Sequence, residues 1–438
     1  MHIFNSIFYL NKFILFLIII LPLTLITGPA LPDITITFSA IFFLYISFKY
    51  KLKNYFFNNI FIYFLIFSLI LITSSLFSKF PLYSLFKGES LFFIRFFIFS
   101  VSLIYFASIN KNLPKYLAYT FLIGILLNVI DGSVQYFSGE SLLNIKAGDS
   151  RLTALFLDEP IVGRYVSTST MLFCSLLNFN MVKNSKFTQF IVPIVYIIGC
   201  VFTYMTGERV AFGAILLFGI LMSFLTPKNI FIKVIILVTI ITIVVILNFN
   251  FDRSTNRASE TINDLNNREF KFMVATPVHD AHYKSALLMF KDNPILGIGS
   301  NLFRKFCHLD KYQISIEEYY GQNSCTTHPH NYYFQLLAEN GLLGLLGLLF
   351  FFFALSLRLL SHFLSIYFKS NKFIRGIKTE FLPFYIFIFV MISPFWPSGN
   401  LYSNWTNIPI FIGLGFLLVS VMPLQNIPKK NFDIGIKT

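Results

Sequence analysis

The chain has 438 residues, of which 56% are hydrophobic and only 12% charged, and it carries a formal net charge of +14. Soluble domains hold about a quarter charged residues, so this balance excludes an ordinary water-soluble fold. Continuous apolar runs, with no period-2 alternation, exclude an outer-membrane barrel and indicate an all-α polytopic membrane protein.

In hydrocarbon every backbone N–H and C=O must be satisfied inside its own segment, which dictates helices. Taken in order, the apolar runs predict spans over 8–28, 33–49, 56–77, 90–109, 115–131, 160–180, 187–206, 209–226, 229–249, 332–357, 379–395 and 405–424. That makes about twelve helices, with hydropathy as the signal. Phe13 to Ile26 lacks a small-residue cleavage site, so the first run reads as a span and not as a removable signal peptide.

Even-numbered connections gather the cations: Lys49, Lys51 and Lys53, Lys111 and Lys115, Lys183 and Lys186, Lys228 and Lys233, then Arg358, Lys369, Lys372, Arg375 and Lys378. Lys429, Lys430 and Lys437 follow in the tail. The short odd-numbered connections hold only Lys79, Lys87 and Arg209. By the positive-inside rule both termini are cytoplasmic. The basic balance is therefore a topology signal and implies no nucleic-acid partner.

Two longer stretches then face outward. The first, 131–162, carries Lys146, Arg151, Asp158 and Glu159; the second, 250–331, is too long for a bare connector. The chain divides accordingly into 1–249 with transmembrane helices one to nine, 250–331 as one large periplasmic loop before the tenth helix, and 332–438 with helices ten to twelve and a cytoplasmic tail. Within the large loop, Ala281 to Phe290 predicts a short amphipathic helix, stopped by Asp292-Asn293-Pro294 and followed by a turn at Gly297 and Gly299. Cys174 and Cys200 fall in spans and read as small buried hydrophobes. Cys307 and Cys325 both lie in the large loop, where an oxidising periplasm would join them; two free thiols are the other reading.

Of seven histidines, His279, His282, His308, His328 and His330 sit in this same loop. Thr327-His328-Pro329 predicts a helix start with His330 in its first turn. The positive helix end disfavours imidazolium, which would leave His330 neutral and able to act as a base; a polar interfacial cap is the other reading. Cys307, His308, Cys325, His328 and His330 are zinc-type ligands, but their spacing fits no zinc signature, and no metal is assigned.

Arg209 begins a helix on the outer side, against the charge rule. It is either a snorkelling anchor or a bidentate partner for phosphate or diphosphate oxygens. Arg95 lies about one turn inside its span, where an ionisable group is expected to face an interior cavity. Arg151 and Arg164 are candidates of the same kind. Glu339 falls on nearly the opposite helix face from His330, which suits packing, and Gly341, Gly344 and Gly347 suit close helix approach. The turn from Ser393 to Trp405 is rich in aromatic and amide side chains, serving either an interfacial belt or sugar binding.

Three motifs in this order resemble the O-antigen ligase and polymerase superfamily of bacterial envelope glycosyltransferases. They are Gly207-Glu208-Arg209 opening a helix, Asn293-Pro-Ile-Leu-Gly297-Ile-Gly299-Ser-Asn-Leu-Phe303, and His330-Asn331 followed by Gln335-Leu-Leu-Ala-Glu339-Asn-Gly341-Leu-Leu-Gly344. The resemblance covers about 200–420, and many spans with one large loop before the His-Asn helix agree with it. It implies a metal-independent inverting glycosyltransferase of the bacterial inner membrane, with no cofactor and an active site facing the periplasm. The donor would be an undecaprenyl-diphosphate-linked glycan, and the acceptor the lipid A–core or a second glycan. His330 would activate the acceptor hydroxyl and Arg209 would bind the diphosphate. Arg95, Arg151, His282 and Asn331 would contribute substrate contacts. Many members carry a further arginine before the amphipathic segment where this chain has His279 and His282, so Arg95 or one of these histidines would supply that contact. The single late loop favours a ligase over a polymerase. A transporter or flippase of a lipid-linked anionic solute would instead place ionisable groups near mid-membrane, and these cluster at the outer end.

Overall fold

A computed structural model describes residues 2–52, 55–56, 59–148, 151–179, 186–226, 230–267, 276–314, 324–368 and 376–420. Lys53, Lys183, Lys228, Lys369, Lys372, Arg375 and the tail lysines lie outside these residues, so the charge asymmetry rests on sequence at those positions. Every named secondary-structure element is helical. In order they are α1 (His2–Thr24), α2 (Ala30–Lys49), α3 (Asn59–Leu76), α4 (Ile94–Ile109), α5 (Leu113–Ser138), α6 (Val162–Asn178), α7 (Lys186–Met205), α8 (Arg209–Leu225), α9 (Ile230–Asn250), α10 (Asp252–Asn267), α11 (Pro277–Asp292), α12 (Phe303–Phe306), α13 (Tyr332–Tyr367), α14 (Leu382–Met391) and α15 (Asn404–Val419).

Each predicted apolar run coincides with one helix. Six helices among the described residues are long and apolar enough to cross a membrane: the first, from Ile7 to Thr27, then α2, α3, α5, α9 and α13. Five shorter apolar helices accompany them, in α4, α7, α8, α14 and α15. Boundaries differ where turn chemistry decides them. α5 runs on to Ser138 and ends at Gly139, which takes a left-handed φ of 87°. α14 stops at Met391, short of the expected 395, because Pro394 cannot extend it. α10 was expected as loop. It is a polar helix that places Arg257, Glu260 and Asp264 along one face.

α6 is the most enclosed helix, buried from Val162 to Leu177 apart from Arg164. It packs against α5, α7, α8, α14 and α15. Ser167, Thr168 and Ser175 on it each donate to a carbonyl three or four residues earlier, so these three hydroxyls are satisfied within the helix. α9 shows the opposite pattern, with only Ile240 and Leu247 buried and most of its apolar side chains facing outward. Such a surface belongs against lipid.

α13 breaks at Gly341, whose φ is 62° and ψ −158°. The loop before α12 occupies the break. Ile298 N–H donates to Ala338 C=O at 3.0 Å, Gly299 N–H to Glu339 C=O at 2.8 Å, and Leu342 N–H to Pro294 C=O at 2.8 Å. Ser74 of α3 adds a hydroxyl bond to the Glu339 carbonyl at 2.8 Å. Carbonyls freed by the break are thus paired, as buried backbone requires.

Gly341→Ala tests this arrangement. A Cβ there would lie 2.3 Å from the Ile295 carbonyl oxygen, and the left-handed backbone adds about 1–2 kcal/mol of strain. Thermal unfolding in detergent is expected at clearly lower temperature, with a loss of at least about 2 kcal/mol. Gly213→Ala, which meets open space, is expected to be nearly neutral.

Candidate functional site

The site is assembled at the N-terminal ends of α6, α8 and α13, together with α10 and α11. Asn331 caps α13: its Oδ1 accepts from Tyr333 N–H at 2.9 Å and Phe334 N–H at 3.3 Å. Its Nδ2 donates to the carbonyls of Pro394 and Trp396 at 3.1 and 3.2 Å. Ser398 N–H donates to His330 C=O at 2.8 Å. The 393–400 turn therefore grips both residues and holds His330 at a φ of 55°.

This corrects two expectations. Thr327-His328-Pro329 does not start the helix, because Asn331 can bond two helix amides and two loop carbonyls at once. His330 consequently sits just ahead of the cap and outside the first turn. Asn331, expected to contact substrate, is 1% exposed and fully engaged as the cap. The aromatic-rich turn also acquires a role the sequence left open: it positions His330.

Four imidazoles gather here. The His330 ring centroid lies 4.2 Å from His328, 5.5 Å from His279 and 5.5 Å from His282. His282 Nδ1 is 3.0 Å from the Ser324 carbonyl, which can only accept, so the proton is on Nδ1 and Nε2 is left basic. His279 completes a capping box with Thr276 at the start of α11, their side chains 2.7 Å apart. Burial lowers the proton affinity of all four. His330 falls to about 4, first by burial and then by the charges of His282, Arg164 and Arg151. His279 falls to about 3 by burial and by His330, His282, Arg151 and Arg209. Neutral imidazole at pH 7 thus has a different cause from the helix dipole expected from sequence.

His330, His279 and His282 line a cavity of about 320 Å³ together with Arg151, Arg164, Arg209 and Arg257. Arg209 is not free within it. It pairs with Asp264, and with Glu260 at 3.2 Å, both from α10. Arg257 pairs with the same Glu260 at 2.6 Å and donates to Gly207 C=O at 3.1 Å. Arg151 and Arg164 make no ion pair among the described residues. The end of α6 is fixed by Glu208, whose carboxylate accepts from the N–H groups of Gly163 at 2.5 Å and Arg164 at 3.1 Å. Burial outweighs these bonds and Arg164, raising the Glu208 carboxyl to about 7.

Arg95 is not brought to this cavity. It bonds Asp33 at 2.7 Å and Glu89 at 2.9 Å, and Asn404 completes the group through Asp33 at 3.1 Å. An arginine inside a span found internal carboxylates, whereas Arg164 and Arg257 line the cavity. Arg257 and Glu208 went unassigned in the sequence. Arg257, Glu260 and Asp264 share one helical face, a signal legible once 252–267 is read as helix.

Cys307 and Cys325 form a disulfide across 18 residues, with Cα atoms 4.9 Å apart. It anchors the segment whose Ser324 carbonyl orients His282. Ligand atoms of Cys307, His308 and Cys325 lie within 4.8 Å of one another, but bonded sulfurs offer no thiolate, so a metal would need the reduced pair.

Residues 194–349 match the family model described as O-Antigen ligase. This interval contains Arg209, α10, α11, the disulfide, the histidine cluster and the first part of α13. No curated protein matches the chain. The family implies glycosyl transfer from a lipid-linked glycan to a glycan acceptor within a membrane.

The depressed histidines make stability depend on pH. Unfolded histidine titrates near 6.5, whereas folded His279 titrates near 3, so between these values only the unfolded chain takes up the proton. Acidification from pH 6.5 towards 3 therefore favours unfolding. Unfolding free energy of the wild type is expected to fall relative to His279→Asn over that range, by at most about 1.4 kcal/mol per pH unit. Denaturant melts at pH 7, 6 and 5 measure the difference.

Proposed function

On the match of residues 194–349 to the O-Antigen ligase family model, we propose an O-antigen ligase-like glycosyltransferase of the O-antigen ligase and polymerase superfamily. It moves a glycan from undecaprenyl diphosphate to an acceptor hydroxyl, which in the ligase reaction belongs to the lipid A–core. The chain crosses the bacterial inner membrane about twelve times with both termini cytoplasmic. Its active site faces the periplasm.

One observation carries the reading: a neutral, half-buried histidine and a cluster of arginines line the same cavity. His330 takes the proton of the acceptor hydroxyl as its oxygen attacks the anomeric carbon. The bond from that carbon to the diphosphate oxygen breaks, its electron pair leaves with the diphosphate, and the configuration inverts. Arg151 and Arg164 offset the charge of the leaving group, a task fixed cations perform without a metal. Arg209 and Arg257 join them as diphosphate oxygens displace the Glu260 and Asp264 carboxylates. The same negative charge opposes the arginines beside His330 and raises its proton affinity at the moment a base is needed.

The test is lipopolysaccharide profiling of a deletion strain complemented with wild type, His330→Ala or Arg209→Ala, with membrane levels matched. Removing a general base is expected to slow transfer by about 10²–10⁴-fold. His330→Ala should therefore leave core-only lipopolysaccharide while long glycan accumulates on the carrier, and Arg209→Ala should show a marked partial defect. A core bearing one repeat unit would make the protein a polymerase. Full rescue by both variants would remove the proposed site.

A further inference from the structure

A second chamber, of about 730 Å³, adjoins the first. The two share Arg151, Arg164, Glu208 and His330, and otherwise differ in character. Arg209, Arg257, His279 and His282 belong to the first chamber alone. Arg304, His328, Asn400 and Trp405 belong to the second alone. We propose that the second chamber receives the acceptor, and that Arg304 selects an acceptor glycan bearing a carboxylate or phosphate close to the reacting sugar. This rests on the transferase reading above.

The division follows from displacement geometry. Inversion puts the attacking hydroxyl and the departing diphosphate on opposite sides of the anomeric carbon. With the diphosphate drawn into the chamber of four arginines, the hydroxyl must approach from the far side of the anomeric carbon. The second chamber meets the first at His330, which leaves space for an acceptor within reach of that base, and its volume lies within the range of pockets that enclose a ligand.

Its lining suits a charged glycan. Trp405 and Phe156 stand edge to face with centroids 5.5 Å apart, offering apolar surface to a sugar ring. Arg304 is held through a neutral partner: it donates to Asn301 Oδ1 at 3.0 Å, and Asn400 Nδ2 donates to the same oxygen at 3.1 Å. Asn301 is fixed in turn by its N–H bond to Glu339 at 2.9 Å. The Glu339 carboxylate is occupied further by Phe303 N–H and Gln335 Nε2 at 3.1 Å each. Its orientation is thus fixed, and it forms no ion pair among the described residues: the Glu339 carboxylate, bonded to other donors, meets its charge only beyond ion-pair distance, and Arg304 lines the chamber together with Glu159, Arg151 and Arg164. A guanidinium in this state favours a carboxylate or phosphate over a hydroxyl.

The experiment uses full-length protein in lipid nanodiscs and three lipid-anchored oligosaccharide acceptors, differing only in a hydroxyl, a phosphomonoester or a carboxylate at one position. Binding is read by thermophoresis, and transfer is read with an undecaprenyl-diphosphate-linked oligosaccharide donor. Wild type is expected to prefer the anionic acceptors by about tenfold or more, in both Kd and KM, as one charged hydrogen bond allows. Arg304→Gln should abolish the preference while transfer to the neutral acceptor persists, and Arg304→Lys should restore part of it. Equal affinity of wild type for all three overturns the proposal without recourse to any variant. So does a preference that survives in Arg304→Gln. Selective binding of the anionic acceptors by wild type without transfer would instead sink the transferase reading and leave the selectivity standing.

Discussion

The break in α13 at Gly341 is the constraint on which the candidate site depends. A helix that stops pairing its own carbonyls inside a membrane protein must have them paired by something else. Here the Pro294–Gly299 loop does so, with Ile298 and Gly299 donating to Ala338 and Glu339. That docking fixes where the chain goes next. Asn301 and Phe303 reach the Glu339 carboxylate, α12 follows, and Cys307 is carried to Cys325. From Cys325 the chain returns through His328 and His330 to the start of the same helix. Loop and helix thus close on each other at both ends, and the histidines lie on the closure.

Electrostatics then distinguishes this corner from the rest of the molecule. Away from both chambers, Arg95 meets Asp33 and Glu89, and Lys311 meets Asp292. At the cavity four arginines and three neutral imidazoles face two α10 carboxylates and one partly buried glutamate. The excess of positive charge beside proton-free histidines is unfavourable without an anion. In the proposed reaction a diphosphate would supply the missing charge, and the same event would make His330 a better base. Binding and activation are one electrostatic change in this scheme.

Much of the fold was legible in the sequence because hydrophobic runs in a membrane leave few alternatives. Every apolar run became a helix, and Ala281 to Phe290 became the body of α11. His330, Arg209 and Arg151, which line one cavity, could be singled out from residue type and position, since polar groups at the ends of apolar helices are uncommon. What escaped was long-range. Nothing near Arg95 in sequence announces Asp33, and nothing near Asn331 announces the carbonyls of Pro394 and Trp396. These partners arrive from distant parts of the chain, and they engage Arg95 and Asn331 in contacts within the protein. α10 was missed because its polarity resembles a loop when only hydropathy is followed.

The most direct measurement for this scheme is the anomeric configuration of the transferred sugar, compared by NMR with that of the lipid-linked donor, using purified protein. A single displacement with His330 as base predicts inversion, with one undecaprenyl diphosphate released per glycan transferred. Retention of configuration would contradict it, since that outcome requires a glycosyl-enzyme intermediate and a nucleophile in place of a base.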